Sequence, residues 1–336
     1  MQHAQHKEWK EALVGRHMQI VAEAPDADAR SALGALLAGD AAVHLSHPLG
    51  SVTGADQAFE TGFGPLRAAF PDLDRREMIR MIGADSGSAV WVGAMGWYMG
   101  RFAAPFLGVP PTGRLAVMRY HEFFRIEDGR VQEIQALWDI PELMMQAGVW
   151  PMSPSLGRDW HAPSPATQDG LEISGDGGDA LRIVIDMLSG LERNRESVAA
   201  MQLEAFWHPK MTWYGPAGIG TARGIGGFRH HHQAPFLQAM PDRRALLDRG
   251  HLFSQGDYVG FTAWPGMEMT LSGSGWLGLP GAGQALTMRS LDFWRVEGQL
   301  IRENWVLVDL LDVYHQLGVD VLARMRDILP WDGVAP

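Results

Sequence analysis

Apolar positions recur at helical spacing over 7–24 and 29–37, and again over 179–191 and 196–207. That pattern predicts two pairs of helices. A short strand pattern follows each pair, AVHLSHP at 42–48 and MTWYGP at 211–216. A glycine-rich turn then leads into a further helix, 54–70 and 224–240. Long strand patterns follow near 75–84, 88–102 and 114–126, and the segment 130–139 runs into a last helix. Hairpin-type turns, EDGR at 127–130 and VEGQ at 296–299, argue for an antiparallel sheet. Helices first and strands after give an α+β fold, a curved sheet wrapped around helices on one face.

The order occurs twice because the sequence does. Shifting the chain by 170 positions aligns 54–149 with 224–319 without a gap. Pro65, Pro71 and Asp72 meet Pro235, Pro241 and Asp242, and LGVPPTG at 107–113 meets LGLPGAG at 277–283. Glu133, Asp139, Gln146 and Gly148 meet Glu303, Asp309, Gln316 and Gly318. One long period means a duplicated domain rather than a solenoid. The stretch between the copies is rich in Pro, Gly, Ser and Asp and has no period, as a linker does. The expected division is 1–150 for the first domain, 151–178 for the linker and 179–336 for the second domain.

Composition removes several functions. The net charge is -11 and no Lys/Arg cluster offsets it, so nucleic acid is not an expected partner. The chain has no cysteine, which excludes disulfides, thiolate metal sites and a cysteine nucleophile. No apolar h-region opens the chain and no run of about 18 apolar residues occurs, so the expectation is a cytoplasmic protein without a membrane span. The glycines of 215–228 lack the spacing of a dinucleotide loop.

The second half reads, in order, WYGPAGIGTARGIGGF (213–228), PFLQAMPD (235–242), LDFWRVEGQLIRENW (291–305) and DLLDVYHQLG (309–318). On these residues each half resembles the SnoaL-like polyketide cyclase family, within the nuclear-transport-factor-2-like superfamily of cone-shaped folds. The first half matches more loosely, with HLSHPLG where the second has TWYGPAG. The resemblance implies cofactor-free chemistry on a small hydrophobic carbonyl compound. A buried carboxylate removes a proton next to a carbonyl, and the enolate closes a ring in an intramolecular aldol step. An isomerase-like step uses the same base. Such a base needs an apolar cavity to raise its pKa, and the enolate oxygen needs a donor. In related single-domain proteins two subunits often pair sheet to sheet. The expectation here is an internal pseudo-dimer of the two copies, with homo-oligomers left open. The alternative function is a binding protein that holds a hydrophobic metabolite without turnover.

The candidate bases are Asp139 and Asp309, at a strand-to-helix junction. Each also reads as a helix N-cap, with Glu142 or Asp312 three residues on and Pro141 in the first turn of one. A cap needs no burial and a base does, so their pKa values separate the readings. Glu133 and Glu303 lie six residues earlier on the same strand face, either as partners of those acids or as solvent-facing residues paired with Arg119 or Arg289 of a neighbouring strand. His121, sharing a face with Arg119 and Arg125, is a candidate acid or enolate donor. Arg289, Leu291 and Arg295 repeat that face in the second copy. Candidate substrate contacts are Tyr214, Trp213, Arg289, Arg119, His47, Trp305 and His231. His230, His231 and His232 cannot converge on one metal ion from a helix, because consecutive residues diverge by about 100°. One of them facing a cavity is the better expectation. His44 and His47 point to opposite faces of a strand, which also argues against a shared metal.

Overall fold

The structure, a computed structural model, describes residues 2–195 and 201–329. In the first copy, helical turns over 2–23 and the helix Asp26–Leu36 lead into β1 (Leu37–Leu45) and β2 (Gly50–Thr53). A kinked helix over 54–69 follows, then β3 (Asp74–Ala84), β4 (Val90–Arg101), β5 (Leu115–Glu127), β6 (Arg130–Trp138) and the helix Ile140–Gln146. The second copy opens with Gly178–Leu191 and continues through β7 (Trp207–Tyr214), β8 (Ala222–Arg223) and a kinked helix over 224–239. It continues with β9 (Arg244–Ala245), β10 (Gly250–Gln255), β11 (Tyr258–Leu271), β12 (Gln284–Glu297), β13 (Leu300–Val308) and the helix Leu310–Gln316, and ends on the helix Val321–Ile328. The predicted helix over 196–207 lies partly outside the described residues. Leu203–Phe206 is helical, and Trp207 already begins β7.

The strand order is β2-β1-β6-β5-β4-β3 in one sheet and β10-β11-β12-β13-β7-β8 in the other, with β9 pairing β11. All pairs are antiparallel except β1 with β6 and β7 with β13, which are parallel. The expectation of a wholly antiparallel sheet fails there because the first strand of each copy leaves the sheet through a helix, and the last strand returns to its free edge. The gapless alignment also fails locally. Tyr98 pairs with Met118, and at the matching place Met267 pairs with Met288, after extra residues Trp264–Gly266 in β11. A plain shift of 170 would have matched Tyr98 with Glu268.

Each sheet is buried on both faces. Even-numbered residues of β5 and β12, such as Met118, Phe124, Met288 and Trp294, face the helices of their own copy. Odd-numbered residues, such as Phe123, Leu291 and Phe293, face the other copy. Phe123 and Phe293, at equivalent positions, stack with centroids 4.9 Å apart, so a local pseudo-twofold axis passes between them. Such a pair adds about 0.5–1.5 kcal/mol beyond the area it buries. Gly93 lies directly across from Phe123 on the neighbouring strand, and Gly260 across from Phe293. A Cβ at Gly93 would meet both phenyl rings at 3.0 Å, so a side chain there would force the sheets apart.

The segment between the copies crosses both of them. Gly157 and Arg158 bond to the 219–221 strand edge, Trp305 Nε1 donates to the Pro163 carbonyl, and Arg80 N donates to the Gly170 carbonyl. Ala162 and Ile173 are buried in the inter-sheet core. None of the described helices is long and apolar enough to cross a membrane.

Candidate active site

The concave faces of the two cones differ. In the first copy, Glu122 on β5 is wholly buried under the helices. Arg75 Nη2 donates to it at 2.9 Å, Tyr98 Oη at 2.6 Å and Trp138 Nε1 at 3.1 Å. The Arg75 guanidinium also lies over the Tyr120 ring, 4.4 Å from its centroid, and pairs with Glu77. Those four large side chains fill the cone around a neutralised carboxylate.

In the second copy the equivalent carboxylate is Asp292, and the four fillers are Ala245, Met267, Ser290 and Val308. The result is a cavity of about 150 Å³. Ser290, Asp292 and Trp294 share the inward face of β12, with Val308, Val306 and Asn304 opposite them on β13. Phe261 flanks Asp292 on the other side. The Ser290 hydroxyl donates to Asp292, and the Asn304 side chain is its other polar partner. Burial among apolar neighbours pushes the Asp292 carboxyl up to about 7, with those two hydrogen bonds pulling the other way.

The kinked helix supplies the cavity's far wall. As at Phe59–Phe63 in the first copy, its middle turn, Arg229–Gln233, is widened to a π turn. There the His232 ring stacks on Trp213, centroids 4.1 Å apart, and contacts Phe228 and Phe236. Burial lowers its pKa to about 3, so the imidazole is neutral. His230 and His231 are exposed. The turn brings His232, rather than the expected His231, to the cavity wall, because only one of its faces points inward. Trp213 does line the cavity, as do Met267 and Trp276.

Most other sequence-derived candidates lie between the sheets. Asp309 Oδ1 accepts from Asp312 N, and its Oδ2 accepts from His47 N at 2.9 Å and from Arg289 Nη1 at 2.9 Å. Asp139 Oδ1 accepts from Glu142 N, and Oδ2 from Ala217 N at 2.9 Å. His47 and Ala217 are equivalent positions, so each aspartate caps the helix that follows its own strand and anchors the loop after the opening strand of the other copy. Burial raises both carboxyls, Asp139 to about 7 and Asp309 to about 6. Every oxygen of the two nevertheless holds a backbone N–H already. Asp139 borders a polar cleft with Arg119, Glu142 and His161, and Asp309 does not line the apolar cavity.

His121 is not in a cavity either. Its Nδ1–H donates to the Leu291 carbonyl at 2.8 Å across the pseudo-twofold axis, and burial holds the ring neutral. Glu133 pairs with Arg125 at 3.2 Å and Glu303 with Arg295 at 2.6 Å, not with Arg119 or Arg289, and Glu303 is buried rather than solvent-facing. Arg119 donates to the Tyr214, Gly215 and Val306 carbonyls. Tyr214 stacks on Trp305 and donates to Glu303, and Arg289 lies over Trp264. His47 stacks on His315 with centroids 4.5 Å apart. All face the other copy, from odd positions of β5, β6, β12 and β13, from Tyr214 at the end of β7 or from the loop at His47. Replacing Asp309 with alanine is expected to lower stability by at least ~1 kcal/mol, a lost cap, as read by chemical denaturation. Turnover per folded molecule should be unchanged; a loss of several hundredfold would return Asp309 to the reaction.

The family model for SnoaL-like polyketide cyclase matches residues 15–147 and 186–317. The chain belongs to this family. It is a tandem SnoaL-like protein, with one match in each copy. Among solved structures it is similar to a protein assigned as a SnoaL-like polyketide cyclase from Jannaschia sp. CCS1, at 25% identity over 40% of this chain and 88% of that one, with a TM-score of 0.34. IdmH from Streptomyces antibioticus matches at 24% identity over 40% and 97%, TM-score 0.32. An NTF2-like protein from Burkholderia thailandensis E264 matches at 21% over 41% and 96%, TM-score 0.33. No curated protein matches the chain.

Proposed function

We propose that the second copy is a cofactor-independent, cyclase-like or isomerase-like enzyme, and that Asp292 is its general base. The observation that carries this reading is the exchange around one shared carboxylate position. Glu122 has a cation and two further donors packed onto it, whereas Asp292 has two neutral partners and open space. A carboxyl titrating near 7 takes a proton from a carbon acid far better than one near 4. The carboxylate removes a proton next to the substrate carbonyl, and the electron pair moves onto the carbonyl oxygen. Trp294, two residues along the same face and so ~7 Å from Asp292, offers an indole N–H to that oxygen. The enolate then attacks a second carbonyl in a ring closure or recovers its proton at another carbon in an isomerisation. The first copy, its cone filled, acts as the structural partner.

Solvent-deuterium uptake tests the proton abstraction apart from its outcome. Activated aryl ketones and polyketide esters incubated with the protein in D2O should gain mass at the carbon next to the carbonyl. Binding without uptake across the panel would support the metabolite-binding alternative instead.

A further inference from the structure

The polar atoms around Asp292 specify the molecule that belongs there. Among the described residues, eleven buried side-chain nitrogen or oxygen atoms have no partner in the protein. Five of them belong to residues lining this one cavity: Nε1 of Trp207, Trp276 and Trp294, Nδ1 of His232, and Oε1 of Gln233. Buried polar groups are nearly always paired, so a cluster of unpaired ones asks for a partner that the chain does not supply. An indole N–H donates and never accepts. Three such donors belonging to walls rich in Met, Leu, Phe and Val therefore call for acceptor oxygens on a largely apolar body.

Size and charge narrow the class. A cavity of about 150 Å³ is the size that accommodates a single benzene ring. The cation in the lining, Arg243, is paired with Glu192 at 3.4 Å. An anionic ligand would find its charge unmatched there and would face ionised Asp292. The stacked Trp213 and His232 rings offer a flat apolar surface to a ring.

We infer that the second copy takes a neutral, single-ring aromatic ketone bearing further acceptor oxygens, held by the indole N–H groups of Trp207, Trp276 and Trp294. This rests on the reading of Asp292 as base, and it places the acidic C–H of such a ketone beside that carboxylate. The tryptophans are binding residues, and Trp294 is the one of them that also reaches the enolate oxygen.

Binding of three probes to the full chain tests it: 2′,4′-dihydroxyacetophenone, ethylbenzene and the tricyclic ketone anthrone. The hydroxylated ketone should bind saturably, at least tenfold tighter than ethylbenzene, and anthrone should not enter. Trp207→Phe, Trp276→Phe and Trp294→Phe should each weaken it about threefold to tenfold, one net hydrogen bond apiece. In case a variant fails to fold, the indole N–H resonances of 15N-labelled wild-type protein give the same answer, because at least two should move on adding the ketone. Equal binding of ethylbenzene, tighter binding of anthrone or unmoved indole resonances would overturn the assignment. Asp292→Asn separates this result from the catalytic one. It should keep the ketone and its selectivity while losing deuterium uptake, so selective binding without uptake in the wild type would sink the base and leave the ligand class standing.

Discussion

Asp292→Asn should lower turnover by about 10²–10⁴-fold, the range that a positioned general base contributes. Asparagine has nearly the same shape and still accepts from Ser290, so the fold should survive. In the wild type, kcat/KM should rise with pH and level off above about 7, where the Asp292 carboxyl ionises. The same group links pH to stability. An aspartate in the unfolded chain ionises near ~3.9, whereas folded Asp292 keeps its proton to about 7. The folded state therefore binds more protons between those values. The stabilisation is full below ~4 and is lost as pH rises through about 7, at up to ~1.4 kcal/mol per pH unit. Asp139 and Asp309 add the same trend, so the comparison of wild type with Asp292→Asn isolates this site. Denaturant titrations at pH 5 and pH 8 should show the variant losing less stability between the two. Equal losses would mean that Asp292 titrates as an ordinary carboxyl.

Arg75→Met should cost about 3–5 kcal/mol, because it strands a wholly buried Glu122 without its cation. Tyr98 and Trp138 would still donate to the carboxylate but would leave its charge uncompensated. Adding Glu122→Gln to that variant should recover much of the loss, since it removes the uncompensated charge while its amide oxygen still accepts from Tyr98 and Trp138. Urea unfolding of the single and double variants measures both effects. Turnover per folded molecule should be unaffected in either, because the filled cone takes no part in the reaction. If Arg75→Met removed activity without lowering stability, the first copy would have to be catalytic.

Much of the architecture is legible in the chain. The strands at 74–84, 90–101, 115–127 and 130–138 fall within two residues of the alternating pattern, and the repeat predicts two of everything. The site is far less legible. Alternation tells the two faces of a strand apart but says which one is inside only when the other meets water. Here both faces are buried, one under helices and one under the other sheet. The polar row Arg119, His121 and Arg125 therefore reads as a pocket wall, when it is the seam between copies. Asp292 sits on the other face of the same strand pattern, in LDFW. The available signal was a carboxylate recurring at one position of both copies, Glu122 and Asp292, amid apolar neighbours. The caps at Asp139 and Asp309 are legible as caps, but their second bonds, to Ala217 and His47, are tertiary.

Joining the two cones in one chain changes what substitution can achieve. In a pair of identical subunits, every replacement appears at both sites. A tyrosine or tryptophan that packs one cavity solid would close the other as well, and a buried aspartate kept for chemistry would strain both. A tandem chain escapes that symmetry. Tyr120 and Trp138 can pack the first cone while Ser290 and Val308 leave the second hollow. With Asp292 as the proposed base, the usual trade between stability and activity would be divided between two halves of one molecule, robustness in the first and reactivity in the second.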